Sequence, residues 1–174
     1  TWCRPPEAGT LSVLEELVIG FVPFSPLGRG FLTGNLSPDN PLDSSDFRTN
    51  LLRFSAENRR ANQAMVDLLA GIAARKKATP AQIALAWLLH QKSVMSVIIG
   101  AKSVAQLDDN IAATEVELST DELGTLDKAS APQPLYPQWM VERMQAGRVP
   151  PARHLSLACL PAGPRQASGR VCGT

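Results

Sequence analysis

Residues Ile83 to Leu89 read Ile-Ala-Leu-Ala-Trp-Leu-Leu, apolar on every side of a helix. A surface helix needs one apolar stripe, whereas a helix that is apolar all round must be covered on all sides. Its start is written just upstream in Thr79-Pro80-Ala81-Gln82. Thr79 can cap, Pro80 suits the first turn and Gln82 completes a capping box. The next apolar run, Val94 to Ile99, is rich in β-branched residues and ends at Gly100. That pattern predicts a buried parallel strand.

Upstream, Leu14, Leu17 and Val18 stand at helical spacing, so Leu11 to Leu17 is predicted as the end of a helix, with Gly20 as its stop. Phe21 to Phe24 is predicted as a short strand, although Pro23 lacks a ladder donor. From Leu27 to Phe54 nothing is periodic, and Gly28, Gly30, Gly34, Pro38 and Pro41 break the chain. A connection that long, directly after a strand, predicts a loop that covers a ligand. Ser55 is placed to cap a helix whose Ala61, Met65, Leu68 and Ile72 share one face. Ser103–Gln106 and Ser119–Glu122 are second and third capping boxes, opening helices to about Ala113 and Ala129. Strands alternating with helices predict a parallel α/β fold.

The chain has 174 residues, 44% of them hydrophobic, which is enough for one real core. A net charge of +1 gives no electrostatic case for nucleic acid or an anionic membrane. No apolar run approaches the roughly 18–20 residues of a membrane-spanning helix, and no charged segment with a following apolar run opens the chain as a secretory signal would. Cys3, Cys159 and Cys172 have no C-x-x-C spacing, which predicts free thiols, a reducing cytoplasm and no metal set. The first residue is Thr1 and not Met, which suggests an upstream portion beyond this sequence. Residues 149–174 are rich in Pro, Ala, Arg and Gly without period and are expected to be a disordered or unrelated tail, and residues 1–10 an irregular flank.

In parallel α/β proteins, function collects at the C-terminal ends of strands. The first such end is Phe24-Ser25-Pro26-Leu27-Gly28-Arg29-Gly30. Its glycines let backbone approach a phosphate closely, and Phe24 offers a flat apolar face, although an aromatic beside a strand also serves as core. The second end is Gly100-Ala101-Lys102-Ser103, a glycine leading into a helix N-terminus, where anions are favoured. Gln106 and Asn110 lie four apart on one face above Lys102. The plainer alternative is that Gln106 only completes the capping box and Lys102 is a solvated charge.

Taken together, these segments resemble the aldo-keto reductases, in the bacterial and plant branch. Phe21 to Gly34 resembles the family's seventh-strand segment, and Asp46-Phe47-Arg48 with Phe54 to Asn58 looks like the loop and helix that follow. Thr79 to Leu89 is similar to the helix before strand eight, and Ile98 to Asn110 to the strand-eight cofactor segment. The resemblance runs from about residue 11 to 148. It implies the C-terminal part of a (β/α)8 TIM barrel, with parallel strands and helices dominating, and an NADP(H)-dependent oxidoreductase that reduces small carbonyl substrates to alcohols. Phe24 would stack on the nicotinamide. The backbone of Ser25, Leu27, Gly28 and Arg29 would hold the pyrophosphate. Lys102, on the Gly100-Ala101 turn, would meet the 2′-phosphate, with Gln106, Asp109 and Asn110 around the adenine and ribose. The family often has Arg where Gln106 stands, which leaves Lys102 as the strong cation of that pocket.

The family's Tyr, Asp, Lys and His catalytic set belongs to its first four strands, so no catalytic residue carries over. The one tyrosine, Tyr136, sits in a Pro-rich segment, and His90 and His154 fit no role in the set. The expectation is a truncated, inactive part of the enzyme that leaves the Ile83–Leu89 helix partly uncovered. The alternatives are a non-catalytic dinucleotide-sensing or partner-binding subunit, and an enzyme completed by a second chain.

Overall fold

A computed structural model describes residues 3–132 and 137–145. The chain divides into two compact units, residues 1–132 and 133–174. Among its described residues the first holds six α-helices: α1 Thr10–Glu16, α2 Ala56–Ala61, α3 Gln63–Lys76, α4 Pro80–Leu89, α5 Val104–Ile111 and α6 Thr120–Ala129. In the second, α7 spans Gln138–Gln145, and the Pro137 carbonyl accepts the Met140 and Val141 amides, both at 2.9 Å. No helix is expected there from the sequence reading, although Met140 and Met144 stand four apart. Tyr136, His154 and residues 149–174 lie outside the described residues. Among the described residues, no helix is long and apolar enough to cross a membrane.

Helix α4 is the centre of the first unit. Thr79 Oγ1 accepts the Gln82 amide while Gln82 Oε1 accepts the Thr79 amide, so the capping box is complete. Ile83, Ala84, Leu85, Ala86 and Trp87 are all buried, against a core built from α3, α6 and the turn Phe31–Thr33. Burying each of the larger side chains stabilises the fold by roughly 1.5–3 kcal/mol. Ile83 to Trp87 are thus covered, while Leu88 and Leu89 at the end of the helix stay half-buried. Exposed apolar surface lies instead at Val22, Phe24, Met95 and Ile98, and at Val104, Leu107 and Ile111 of α5. The Trp87 Nε1–H donates to Asp127 Oδ1 at 3.1 Å, and the Arg4 guanidinium lies 5.3 Å from the Trp87 ring centroid. Arg4 thus ties a segment expected to be irregular, which carries a 3-10 turn at Pro5–Ala8, to α4 and α6.

The two expected strands do run side by side and parallel, but they do not form a ladder. They meet at two isolated bridges, Phe21 to Val94 and Phe24 to Ile98. The Phe21 amide donates to the Ser93 carbonyl and the Met95 amide to the Phe21 carbonyl, as a parallel pair requires. The next in-register bond would need an amide at Pro23, which has none. The Pro23 carbonyl accepts instead from Ile98, leaving two residues between the bridges on one side and three on the other. The proline thus costs a rung and forces a one-residue slip.

Two further expectations need correction. Gly20 is not the stop of α1. Val18 holds that place, left-handed at φ 56°, with its amide bonded to the Glu15 carbonyl and that of Ile19 to the Leu14 carbonyl, a Schellman pair. Gly20 instead lies against Met95: a Cβ there would fall 2.1 Å from Met95 Cγ, so a side chain would displace that exposed methionine. The helix after Ser55 is broken at Asn62 into α2 and α3, and the break shifts the buried face. Met65, Val66, Leu69, Ile72 and Ala73 are buried, while Ala61 is exposed and Leu68 half-buried.

Candidate functional site

Both glycine-bearing segments open into one cleft of about 1290 Å³. Ser25, Leu27 and Arg29 line one wall. Gly100, Ala101, Lys102, Gln106, Asp109 and Asn110 line the other. The parallel pairing of Phe24 with Ile98 brings the two walls together across a long sequence separation. Gly28 and Phe24 are not part of the lining. Gly28 sits half-buried at φ 58° inside the turn, and Phe24 is 75% exposed at the bridge.

The first wall is a tightly wound loop. Ser25, Gly28, Arg29 and Gly30 all have positive φ. For Ser25 and Arg29 that conformation carries a steric cost that glycine avoids. The Gly28 amide donates to the Ser25 carbonyl and the Gly30 amide to the Leu27 carbonyl. The amides of Leu27 and Arg29 donate to no described residue. Unspent backbone amides in a loop so wound are donors that an anion can use.

Two helix N-termini meet at the second wall, and they differ. At α4, the Asp109 carboxylate accepts from Thr79 Oγ1 at 3.1 and 3.2 Å and from Gln82 Nε2 at 2.9 Å. The protein's own carboxylate therefore answers that helix end. At α5 there is no acidic residue in the first turn, and Lys102 precedes the cap. Ser103 Oγ accepts the Gln106 amide, but Gln106 Oε1 accepts the Lys102 amide and not that of Ser103. The expected second capping box is thus half formed, stepped back by one residue. The end of α5 is the one left open to an external anion. Asn110 is 93% buried by its 7% exposure, lines the cleft, and its side-chain amide has no partner among the described residues. Burial of an unsatisfied amide costs of order 1–3 kcal/mol, so a polar ligand at that point would recover it.

A third set of lining residues, Asp43, Ser45, Asp46, Phe47 and Arg48, was given no site role from the sequence. They come from the long connection, of which the sequence marked the length and, by resemblance, Asp46-Phe47-Arg48. Asp46 caps the turn Phe47–Asn50 by accepting the Arg48 amide. Hydrogen bonds from Arg48 hold the Asp46 carboxyl below its ordinary range, with a smaller contribution from Lys102 across the cleft. The Arg29 guanidinium lies 5.0 Å from the Phe47 ring centroid. Farther out, Arg59 is 4% exposed and donates to the carbonyls of Phe54, Ser37 and Asn40, closing the connection on itself. No tyrosine or histidine lines the cleft among the described residues, and His90 caps the far end of α4.

Residues 3–131 match the aldo/keto reductase family. A Glycine max protein named probable aldo-keto reductase 1 is 39% identical over 128 residues, covering 74% of this chain and 37% of that protein. An aldo-keto reductase of Strobilurus tenacellus is 35% identical over 123 residues, covering 71% and 37%. The chain thus spans 37% of the length of these relatives. Among solved structures, the glycerol dehydrogenase of Gluconobacter oxydans superposes with a TM-score of 0.68 at 24% identity, over 78% of this chain and 42% of that one, a likeness of fold. A thermostable aldo-keto reductase, solved with the inhibitor epalrestat, gives 0.51 at 28% identity, over 73% and 36%.

Proposed function

This chain belongs to the aldo/keto reductase family, and from that premise we propose that it is the dinucleotide-holding, C-terminal part of a (β/α)8 carbonyl oxidoreductase, with NADP(H) as the cofactor. The observation that carries the reading is the single cleft. It joins two unspent amides, an open helix end beside Lys102 and a buried, unpartnered Asn110. A dinucleotide phosphate presents matching chemistry: a pyrophosphate, a 2′-phosphate and a polar base. Leu27 and Arg29 would hold the pyrophosphate through their amides. Lys102 and the start of α5 would take the 2′-phosphate. Gln106, whose side-chain nitrogen is not used in capping, and Asn110 would meet the adenosine. Asp109 would support this wall through Thr79 and Gln82. Phe24, exposed at the bridge, is available to a flat ring. Hydride is the chemistry the cofactor supplies when bound. This chain's own part in that reading is to bind and orient it.

The test is titration of the whole chain with NADP(H) and NAD(H), before and after Lys102→Ala. A charge-assisted contact to phosphate contributes roughly 1.5–3 kcal/mol, so NADP(H) affinity should fall about ten- to a hundredfold. NAD(H) affinity should change little. Equal losses for the two cofactors would overturn the assignment of Lys102 and the α5 end to the 2′-phosphate.

A further inference from the structure

The loop that lines the first wall holds two non-glycine residues in the left-handed region, and one of them, Arg29, is gripped from outside. Arg48 Nη1 donates to the Arg29 carbonyl at 2.9 Å. The same guanidinium is locked to Asp46: Nε donates to both carboxylate oxygens at 3.0 Å, and Nη2 to Oδ2 at 2.5 Å. Its carbon lies 5.9 Å from the ring centroid of Phe54, which is buried in the core. One face of the Arg48 group is therefore fixed before it reaches Arg29. Phe47, the residue beside it, carries the Arg29 side chain on its ring. Backbone and side chain of Arg29 are both held by neighbours in one short turn, Phe47–Asn50.

We propose that Arg48 is a positioning residue: anchored by Asp46, it holds Arg29 in the left-handed conformation that leaves the Leu27 and Arg29 amides unspent. What those amides meet rests on the dinucleotide reading above; the bracing itself does not. The physical need is plain. A lone arginine prefers negative φ by a margin comparable with one hydrogen bond, and a relaxed loop would turn these amides into its own turns or to solvent. A brace that sets the conformation beforehand removes that ordering cost from binding. Lysine cannot replace it, because a single ammonium lacks the planar fork that serves a carboxylate and a carbonyl together.

The experiment is hydrogen exchange on the ligand-free, whole chain, in a cycle of Arg48→Gln, Arg29→Gly and the double variant, followed by titration with NADP(H). Arg48→Gln should speed exchange of the Gly28 and Gly30 amides about tenfold, the lower end for a charged bond because this one is exposed. Exchange in α3 and α4 should not change. In the Arg29→Gly background, where left-handed φ carries no penalty, the same substitution should speed exchange only about twofold. Arg48→Lys should behave as Arg48→Gln, which keeps the test intact if the glutamine variant folds poorly. An equal factor in both backgrounds, no change at Gly28 and Gly30, or faster exchange throughout α3 and α4 would each overturn the brace. Failure of the parent chain to bind NADP(H) would instead overturn the functional reading, with the exchange cycle still deciding the brace.

Discussion

Replacing Asp109 by alanine distinguishes a strut from a ligand contact. Its carboxylate is committed to Thr79 Oγ1 and Gln82 Nε2 at the N-terminus of α4, where a negative charge also meets the helix dipole favourably. Hydrogen bonds to a charged group each contribute about 1.5–3 kcal/mol, with the lower figure for partly exposed ones. The variant keeps some of this. Gln82 Nε2 still has the Asp109 backbone carbonyl at 3.1 Å, and Thr79 Oγ1 still accepts the Gln82 amide at 3.2 Å. The expected net loss is therefore about 2 kcal/mol, less than the sum of the bonds. For a chain of this size that lowers Tm by roughly 4–8 °C. Circular dichroism melts with and without NADP(H) measure it, and Asp109→Asn should lose about half as much, since one amide oxygen still accepts. A Tm within about 2 °C of the parent, together with a tenfold loss of NADP(H) affinity, would refute the strut and make Asp109 a direct ligand contact.

Two other outcomes follow from local geometry. Val18 occupies the left-handed position of a Schellman cap, so Val18→Gly should raise stability by about 1 kcal/mol, read as a higher midpoint in urea; a fall would mean that its side chain contributes more than its backbone costs. At the start of α6, burial pushes the Glu122 carboxyl up, but the Ser119 amide and Lys76 outweigh it and hold it below its ordinary value of 4.5. Because the folded-state value is the lower one, this group's stabilisation is present above 4.5 and is lost as pH falls through the folded value. Glu122→Gln, which keeps the cap, should flatten the fall in Tm below that pH relative to the parent; an identical acid limb would sink the assignment.

Local signals were legible wherever a residue's partners lie within a few positions. The boxes at Thr79 and Ser119 form as their spacing predicts, because a cap is made inside one turn. The all-apolar run is buried from Ile83 to Trp87, as its composition states, with Leu88 and Leu89 half-buried. The two glycine-bearing segments read as site walls do share a cleft. Tertiary contacts decided what depends on distant partners. Pairing of Phe21–Phe24 with Val94–Ile98 turned the missing amide of Pro23 from a blemish into a lost rung and a slip. Gly20 came to lie against Met95, and the cap fell to Val18. Asp109 became a strut only because α5 lies against the start of α4. The connection from Leu27 to Phe54 has no period to read, since single arginines tie it together: Arg48 at the Arg29 carbonyl and Arg59 at those of Ser37 and Asn40. Periodicity records which face of an element is covered; it holds no record of which distant backbone atom a single arginine will reach.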